Sequence, residues 1–389
     1  MTTVYLFILQ ILHGNTACQH AVHFGQWNFT DSANCASRKR LPLGVLRRLA
    51  GRVAERVRTN ATAASTWYGH RVWLLDGSSF SMPDTPEQQG AFGQPGNQKP
   101  GCGFPVARFL ALFDLATGML LRVEPAPLRS HEMSRCAVAT AGLLAGDVVL
   151  GDRGFCSYAH IAILLKHKLH GVFRAHQRRI IDFTPERPRE ATIRPHSRWV
   201  RSQGDSDQVV SWYKPKIKPT WMFKEEYALL LEEITVRELR YKVHTPGYRV
   251  GEVTLVTTLL EASVYPAEAL ADLSFRRWQV EVYLRDLKIT LKMDVLKCKT
   301  VDGVLKELAV FSLVYNLVRL VVCESAKAQG VTDAVRWLVG AEGDEDLSVI
   351  LINPSRKSRV RKRRPKQYPL MKMPRAVLRK QLTDKKVAA

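Results

Sequence analysis

The feature that most constrains the fold is a fixed order of short apolar runs between residues 71 and 175. The run VWLLD is followed by ARFLALFDLATGMLLRVEP, which predicts two strands around a turn at residues 116–118. There follow a predicted helix over 131–144, an apolar run at 147–152, a helix near 158–168 and a strand at 171–175. The order βββαβαβ indicates an α/β fold, with a mixed sheet and flanking helices.

Two aspartates, Asp76 and Asp152, follow the first and fourth predicted strands, in LLDGSS and VLGDRGF. The order of elements is that of ribonuclease-H-like cores, in which the first and fourth strands are neighbours. We therefore expect the two carboxylates to face each other across adjacent strand ends. Aspartates at strand ends also start turns or cap helices, and for either residue alone that is the simpler explanation.

A third acidic position lies in SFRRWQVEVYLRDLK, residues 274–288, on a helix that begins near Pro266. Arg277, Glu281 and Lys288 are four and seven residues apart and therefore share one helical face, with Arg285 beside them. One acid among three bases fits a metal ligand surrounded by phosphate-binding side chains. The alternative is a surface ion-pair ladder, although arginine four residues before glutamate is the less favourable order.

Three converging carboxylates would suit phosphodiester chemistry. That chemistry requires an activated attacking oxygen and a stabilised leaving oxygen, and two metal ions about 4 Å apart can supply both. Mg²⁺ prefers carboxylate and water ligands. The three acids are therefore candidate metal ligands.

The charge of the chain favours a polyanionic partner. It has 58 basic and 36 acidic residues, a formal net charge of +22, which makes nucleic acid the first candidate. Residues 355–389 contain 14 Lys or Arg and a single acid, Asp384. A basic tail can be a generic attachment device, so charge indicates phosphate binding and not chemistry on phosphate.

The sequence divides into five predicted units. They are a helical N-terminal unit (1–68), the first part of a catalytic core (69–175), a β-rich insertion (176–252), the completion of the core with the third acidic position (253–345) and a basic tail (346–389). The N-terminal unit has an arginine-rich helical face that is either solvated or in contact with DNA, formed by Arg47, Arg48, Arg52 and Arg56.

Several other classes of site are disfavoured. The seven cysteines include no Cys-x-x-Cys pair, which argues against a disulfide framework or a zinc ribbon and fits a reducing cytosol. The apolar run 4–12 lacks the flanks of a signal peptide and predicts a buried helix. Charged residues interrupt the run 304–323, which predicts a core helix and no membrane span. The glycine-rich loop 86–105 lacks the ending of a phosphate loop.

Segment 274–288 resembles the Tyr-Arg-Glu-Lys signature, Y-x2-R-x3-E-x6-K, of the insertion-sequence-four family of DDE transposases. Arg277, Glu281 and Lys288 fall on its Arg, Glu and Lys positions, whereas Ser274 stands at its Tyr position. LLDGSSFSMPDT resembles the first aspartate motif of that family and GDRGF its second, so that the resemblance covers roughly residues 70–330.

The resemblance implies a ribonuclease-H-like core with a β-strand insertion before the glutamate, and a cut-and-paste transposase. By it the three acids bind two Mg²⁺ ions, which Mn²⁺ can replace. Water cuts the element ends, and the freed 3′-hydroxyl attacks the opposite strand or target DNA. Arg277, Arg285 and Lys288 would hold phosphates, and Trp278 would stack on an unpaired base unless it anchors the helix in the core.

The resemblance further implies double-stranded DNA as partner, both terminal inverted repeats and target, bound by a homodimer on the cytoplasmic nucleoid. Two alternatives stay open: a DNA-binding relic, because of Ser274 and the short N-terminal segment, and a structure-specific nuclease with the same metals. A paired-acid glycosidase is disfavoured by the basic surplus and by the missing aromatic-rich sugar cleft.

Deletion of residues 356–389 is expected to reduce the salt dependence of DNA binding, because the tail releases counterions from DNA when its basic residues pair with phosphates. The measurement is the slope of log affinity against log salt concentration for the full chain and the truncated chain. An unchanged slope would contradict a role of the tail in binding.

Overall fold

The computed structural model describes residues 2–21, 23, 30–59, 66–186, 197–243, 251–328 and 373–387. Within them a single mixed sheet has the strand order β3-β2-β1-β4-β5-β9-β8-β7-β6. Its strands are β1 (Val72–Ser81), β2 (Val106–Asp114), β3 (Leu120–Pro127), β4 (Val148–Gly151), β5 (His170–Arg174), β6 (Ser197–Gly204), β7 (Asp207–Tyr213), β8 (Glu233–Val243) and β9 (Gly251–Thr257).

The first five strands occur in the predicted order and form a mixed sheet. β1, β2 and β3 form an antiparallel meander, β4 runs parallel to β1, and β5 runs parallel to β4. β9 pairs antiparallel with β5, and β8, β7 and β6 continue from it. The β-rich segment before the third acidic position therefore extends the same sheet.

Helices cover both faces of the sheet, which confirms the predicted mixed sheet with flanking helices. The α-helices are α1 (Thr2–Leu12), α2 (Cys18–Ala21), α3 (Asp31–Arg40), α4 (Leu43–Thr59), α5 (Pro86–Phe92), α6 (Cys136–Thr140), α7 (Tyr158–Lys166), α8 (Lys224–Ala228), α9 (Ala267–Arg276), α10 (Gln279–Arg285), α11 (Val301–Ala328) and α12 (Arg375–Val387).

One predicted helix is shorter than its sequence pattern. Instead of a helix over 131–144, a 3₁₀ turn (Glu132–Arg135) leads into α6, which ends at Thr140. The next residue is extended, and Gly142 has a positive φ of 94°, a left-handed conformation that stops a helix.

Alternation along the strands divides the core into two clusters. Leu74 and Leu150 point to a cluster that includes residues of α1, α10 and α11. Trp73 and Val149 point to the opposite cluster, which includes residues of α6 and α7. Because side chains alternate across a strand, even-numbered residues of β1 and β4 share the face of the first cluster.

The long helix α11 lies in the core. Its stretch Val301–Ala326 is long and apolar enough to cross a membrane by length and composition, and half of it is buried inside the protein. Polar side chains on α11 fasten it to the sheet: Asn316 donates to the Leu120 carbonyl (2.8 Å) and accepts from the Leu120 N–H (2.9 Å).

Two of the N-terminal helices, α1 and α4, pack on α11. α1 buries Leu6, Phe7 and Ile11, as expected for the apolar run at 4–12. α4 packs against α11 and buries Leu46 and Ala54. The opposite side of α4 is its exposed arginine face, which consists of Arg47, Arg48, Arg52 and Arg56.

Glu307 connects the N-terminal helices to the chain that follows the third acidic position. This fully buried carboxylate accepts hydrogen bonds from Asn15 Nδ2 (2.7 Å) and from the backbone N–H groups of Lys297 (3.0 Å) and Cys298 (2.9 Å). Hydrogen bonds to a buried charged group are among the stronger ones. Removal of the Glu307 carboxylate would leave each of these donors without its acceptor.

Glu307→Ala is expected to lower the free energy of unfolding by about 2–4 kcal/mol, since one buried and two partly buried donors lose their acceptor. Urea unfolding measures the change. Glu268→Ala, at an exposed acid of α9, is the matched control and should shift stability by less than about 0.5 kcal/mol. Equal effects of the two substitutions would show that Glu307 does not fasten these segments.

Candidate active site at the sheet edge

The parallel pairing of β1 with β4 brings Asp76 and Asp152 together. Leu75 pairs with Gly151, and the two aspartates are the next residues on their strands. Both are even-numbered and therefore point to the face of Leu74 and Leu150, where α10 and α11 pack. The predicted meeting of the two aspartates at adjacent strands is thus present, at one edge and on one face.

The prediction that the first strand ends before Asp76 is wrong. β1 continues to Ser81, because its antiparallel pairing with β2 runs on until Ser81 meets Val106. Only the pairing with β4 stops at Leu75. Asp76 therefore lies inside a strand, next to the opening left by the shorter β4. Asp152 follows the end of β4, as predicted.

Burial raises the pKa of Asp76 from its ordinary value of 3.8 to about 6. The Gly77 N–H, which donates to Asp76 Oδ1 (2.8 Å), and the positive charge of Arg277 oppose this rise. The negative charges of Asp152 and Glu132 add to it. A cation placed between the aspartates would relieve both the desolvation and the repulsion.

Asp152 also has the structural role that an aspartate at a strand end commonly takes. Its Oδ1 accepts a hydrogen bond from the Gly154 N–H (2.6 Å) and caps the 3₁₀ turn Arg153–Phe155. The cap fixes the orientation of this carboxylate at the sheet edge. One carboxylate oxygen is engaged in the cap, and a carboxylate has further lone pairs for a second ligand.

The helix predicted over residues 274–288 is divided into three parts. α9 ends at Arg276, α10 starts at Gln279, and a π-helical turn occupies Asp286–Thr290. π-helical turns are rare and occur frequently at functional sites. From this turn, Lys288 Nζ donates to Ser78 Oγ (3.0 Å), two residues beyond Asp76 on β1. The predicted single helical face is therefore bent toward the strand that carries the first aspartate.

Glu281 lies apart from the two aspartates. Its side chain is 53% exposed, and its Oε1 is 4.0 Å from Nη2 of Arg277. Arg277 also acts on the charge of Asp76, so its guanidinium group is in range of both acids. In the part of the chain that the structure describes, no three His, Cys, Asp or Glu side chains form a metal-holding group. The structure brings the aspartates together but not the glutamate.

The neighbouring side chains differ in exposure. Arg285 is exposed, whereas Arg277 and Lys288 are partly buried. Trp278 is 50% exposed, with the Arg277 guanidinium carbon 5.2 Å from its ring centroid. The alternative that Trp278 anchors the helix in the core is therefore wrong, and its ring is open to contact from outside.

One acid at this edge was not identified from the sequence. Glu132 lies beneath Gly77, where an added Cβ would be 3.0 Å from Glu132 Oε2, and it pairs with Arg108 Nη1 (3.2 Å). Gly77 leaves the space that Glu132 fills from the opposite face of the sheet. Its position depends on a 3₁₀ turn that no periodicity in RSHEMSR indicates.

The donor set suits a hard divalent cation. Asp76 and Asp152 provide carboxylate oxygens at one sheet edge. Arg277 acts on the charge of Asp76, and Lys288 bonds to Ser78 on the same strand. Carboxylates beside phosphate-binding bases can hold a metal ion against a phosphodiester.

The chain is similar to known transposases. Residues 67–317 match the family described as a transposase DDE domain. The chain is 25% identical over 291 residues to transposase InsG for insertion sequence element IS4 of Escherichia coli (strain K12), covering 74% of this chain and 60% of that relative. It is 30% identical over 92 residues to putative transposase InsZ of the same strain, covering 23% of this chain and 31% of that relative.

The chain thus spans about 60% of the length of the first of these relatives. Among solved structures, the piggyBac transposase synaptic complex with hairpin DNA aligns over 67% of this chain and 48% of that chain, with 12% identity and a TM-score of 0.36.

Asp76→Asn is expected to stabilise the protein by about 1–2 kcal/mol at pH 7 in a buffer with a metal chelator. The folded chain binds the Asp76 proton more tightly than the unfolded chain, because the pKa is raised to about 6. Stability therefore falls as pH rises from about 4 to 6, and the amide, which carries no charge, escapes this loss.

Urea unfolding between pH 4 and pH 7 tests this, with the substitution of exposed Asp205 by Asn as the matched control. The difference between Asp76→Asn and wild type should shrink toward pH 4. A difference that stays constant over this range would contradict the raised pKa.

Proposed function

Because this chain belongs to the transposase DDE domain family, we propose that it cuts DNA at the ends of an insertion sequence and joins those ends to target DNA. The observation that carries the proposal is the placement of Asp76 and Asp152 on neighbouring strands at one sheet edge. Arg277, which precedes α10, acts on the charge of Asp76 and pairs with Glu281 of α10. A paired-acid glycosidase finds no support in the family match.

We assign a ribonuclease-H-like arrangement to the core. It is supported by the strand order β3-β2-β1-β4-β5, with an antiparallel meander followed by two parallel strands. The strands β6–β8 precede the third acidic position and are assigned to an insertion between the two parts of the core, residues 69–175 and 253–345. The basic tail from residue 346 is assigned to DNA attachment.

Asp76, Asp152 and Glu281 are the proposed catalytic residues and metal ligands. When bound, two Mg²⁺ ions, or Mn²⁺ in their place, would supply activation of the attacking oxygen and stabilisation of the leaving oxygen. Asp76 and Asp152 are already oriented to the same face. Glu281 would complete the set by turning from Arg277 toward them through a change of side-chain rotamer.

The basic residues around the acids have proposed roles in holding DNA. Arg277 would release its ion pair with Glu281 and bind a phosphate near the cleaved bond. Lys288 is held beside the site by its hydrogen bond to Ser78. Arg285, exposed on α10, would contact the next part of the backbone. Trp278 has an exposed ring on which an unpaired base can stack.

The proposed partner is double-stranded DNA, both the terminal inverted repeats and the target. Two copies of the chain would hold the two ends together, and the protein would work on the cytoplasmic nucleoid. The charge of +22 and the exposed arginine face of α4 support binding to a polyanion.

A second candidate function is DNA binding without catalysis. It is favoured by Ser274, which replaces the signature tyrosine, and by the pairing of Glu281 with Arg277. A third candidate function is that of a structure-specific nuclease, which would release cut DNA ends without joining them. Joined strand-transfer products separate the proposed function from both.

Asp76→Asn, Asp152→Asn and Glu281→Gln are each expected to lower cleavage of inverted-repeat DNA with Mg²⁺ by at least about a hundredfold, because each removes a proposed metal ligand. Cleaved and joined products are measured on gels, with DNA binding assayed in parallel.

Glu268→Gln, at an exposed acid on α9, is the matched control and should cleave as wild type does. Cleavage by the three variants at the wild-type rate would overturn the assignment. Absence of cleavage by the wild-type chain itself would favour the binding-only alternative.

A further inference from the structure

The third sequence motif breaks at Ser274, where the signature that it resembles has a tyrosine. Ser274 lies on α9, three residues and thus one helical turn before Arg277. α9 itself, AEALADLSFR, contains no tyrosine. Phe275 is 40% exposed but has no hydroxyl group. A phenolic hydroxyl at this place must therefore come from another element.

Tyr241 of β8 reaches this place. α9 packs against β8, and the side chains of Tyr241 and Ser274 make a polar contact. Tyr241 is partly exposed, and its ring packs at the margin of the core cluster on the face of the two aspartates. Two charged groups act on the pKa of Tyr241: Arg174, at the end of β5, lowers it, and Asp272 on α9 raises it.

The strand register places Tyr241 at the same edge of the sheet as the proposed catalytic aspartates. Leu239 pairs with Leu255, which pairs with Arg174, and Arg174 is level with Asp152. Tyr241 is two residues beyond Leu239 and points to the same face. Three strand spacings, about 14 Å, separate β4 from β8. This distance is short enough for one DNA backbone to contact both.

The Tyr241 hydroxyl is protonated at neutral pH, as an ordinary tyrosine is, and can donate a hydrogen bond. Burial raises its pKa further. Arg174 is exposed and supplies a positive charge beside it. Tyrosine hydroxyls and arginines are common donors to DNA phosphates. The pair has the composition of a phosphate-contacting site.

We propose that the Tyr241 hydroxyl, together with Arg174, binds a DNA phosphate near the cleaved end and takes the place of the tyrosine that is missing at Ser274. The proposal rests on the proposed function, since it assumes that DNA lies along this edge. It assigns to β8, a strand of the insertion, a direct contact with the DNA that the core cuts.

The test measures binding of duplexes copied from the genomic DNA on either side of the reading frame. Tyr241→Phe removes only the hydroxyl and is expected to weaken binding about tenfold, as for loss of a hydrogen bond to a charged group. Tyr68→Phe, at an exposed tyrosine before β1, is the matched control and should bind within about twofold of wild type. Thermal unfolding of each variant confirms that the fold is retained.

Two further measurements separate a phosphate contact from a structural effect. With single phosphates replaced by uncharged methylphosphonates, one position should weaken binding by wild type but not further weaken binding by Tyr241→Phe. Ser274→Tyr introduced into Tyr241→Phe should restore much of the lost affinity, because it returns a phenol from the helix side.

The proposal is overturned if Tyr241→Phe binds within about twofold of wild type, or if every methylphosphonate weakens both proteins equally. Neither result would contradict the proposed function if the wild-type protein cleaves the DNA and Asp76→Asn does not. If wild type never cleaves, the proposed function fails, and the binding measurements still decide whether Tyr241 contacts a phosphate.

Discussion

The parallel pairing of β1 with β4 is the constraint on which the candidate site depends. It aligns Leu75 with Gly151 and thereby sets Asp76 and Asp152 side by side on one face. A shift of one residue in either strand would turn one carboxylate to the opposite face. The two core clusters hold this register, because they bury alternate residues of both strands on opposite sides of the sheet.

Electrostatics at this edge follow from the same pairing. Burial and the nearness of Asp152 raise the pKa of Asp76, while Arg277 offsets part of the cost and also pairs with Glu281. With a cation and a DNA phosphate bound, Asp76, Asp152 and Glu281 would contact the cation, and Arg277 would contact the phosphate. Movement of these side chains alone would convert the arrangement without metal and DNA into the proposed catalytic arrangement.

The order of strands β1–β5 could be predicted from the sequence, because apolar runs separated by turns are local signals, and the aspartates at 76 and 152 stand out against them. The continuation of the same sheet through β9–β6 could not. The long continuation of β1 to Ser81 could not be predicted, because its pairing with β2 decides it. The π-helical turn at Asp286–Thr290 has no periodic signal in the sequence either. Glu132 and Tyr241 come from distant segments that only the folded chain brings to the edge.

The central claim is that β1, β4 and α10 together hold a divalent metal ion. Fe²⁺ bound in place of Mg²⁺ generates hydroxyl radicals with ascorbate and peroxide, which cut the polypeptide next to the ion, and mass spectrometry locates the cuts. The account predicts cuts near residues 76, 152 and 281 that excess Mg²⁺ suppresses. Cuts confined to other segments, or cuts near the aspartates without any in α10, would contradict it.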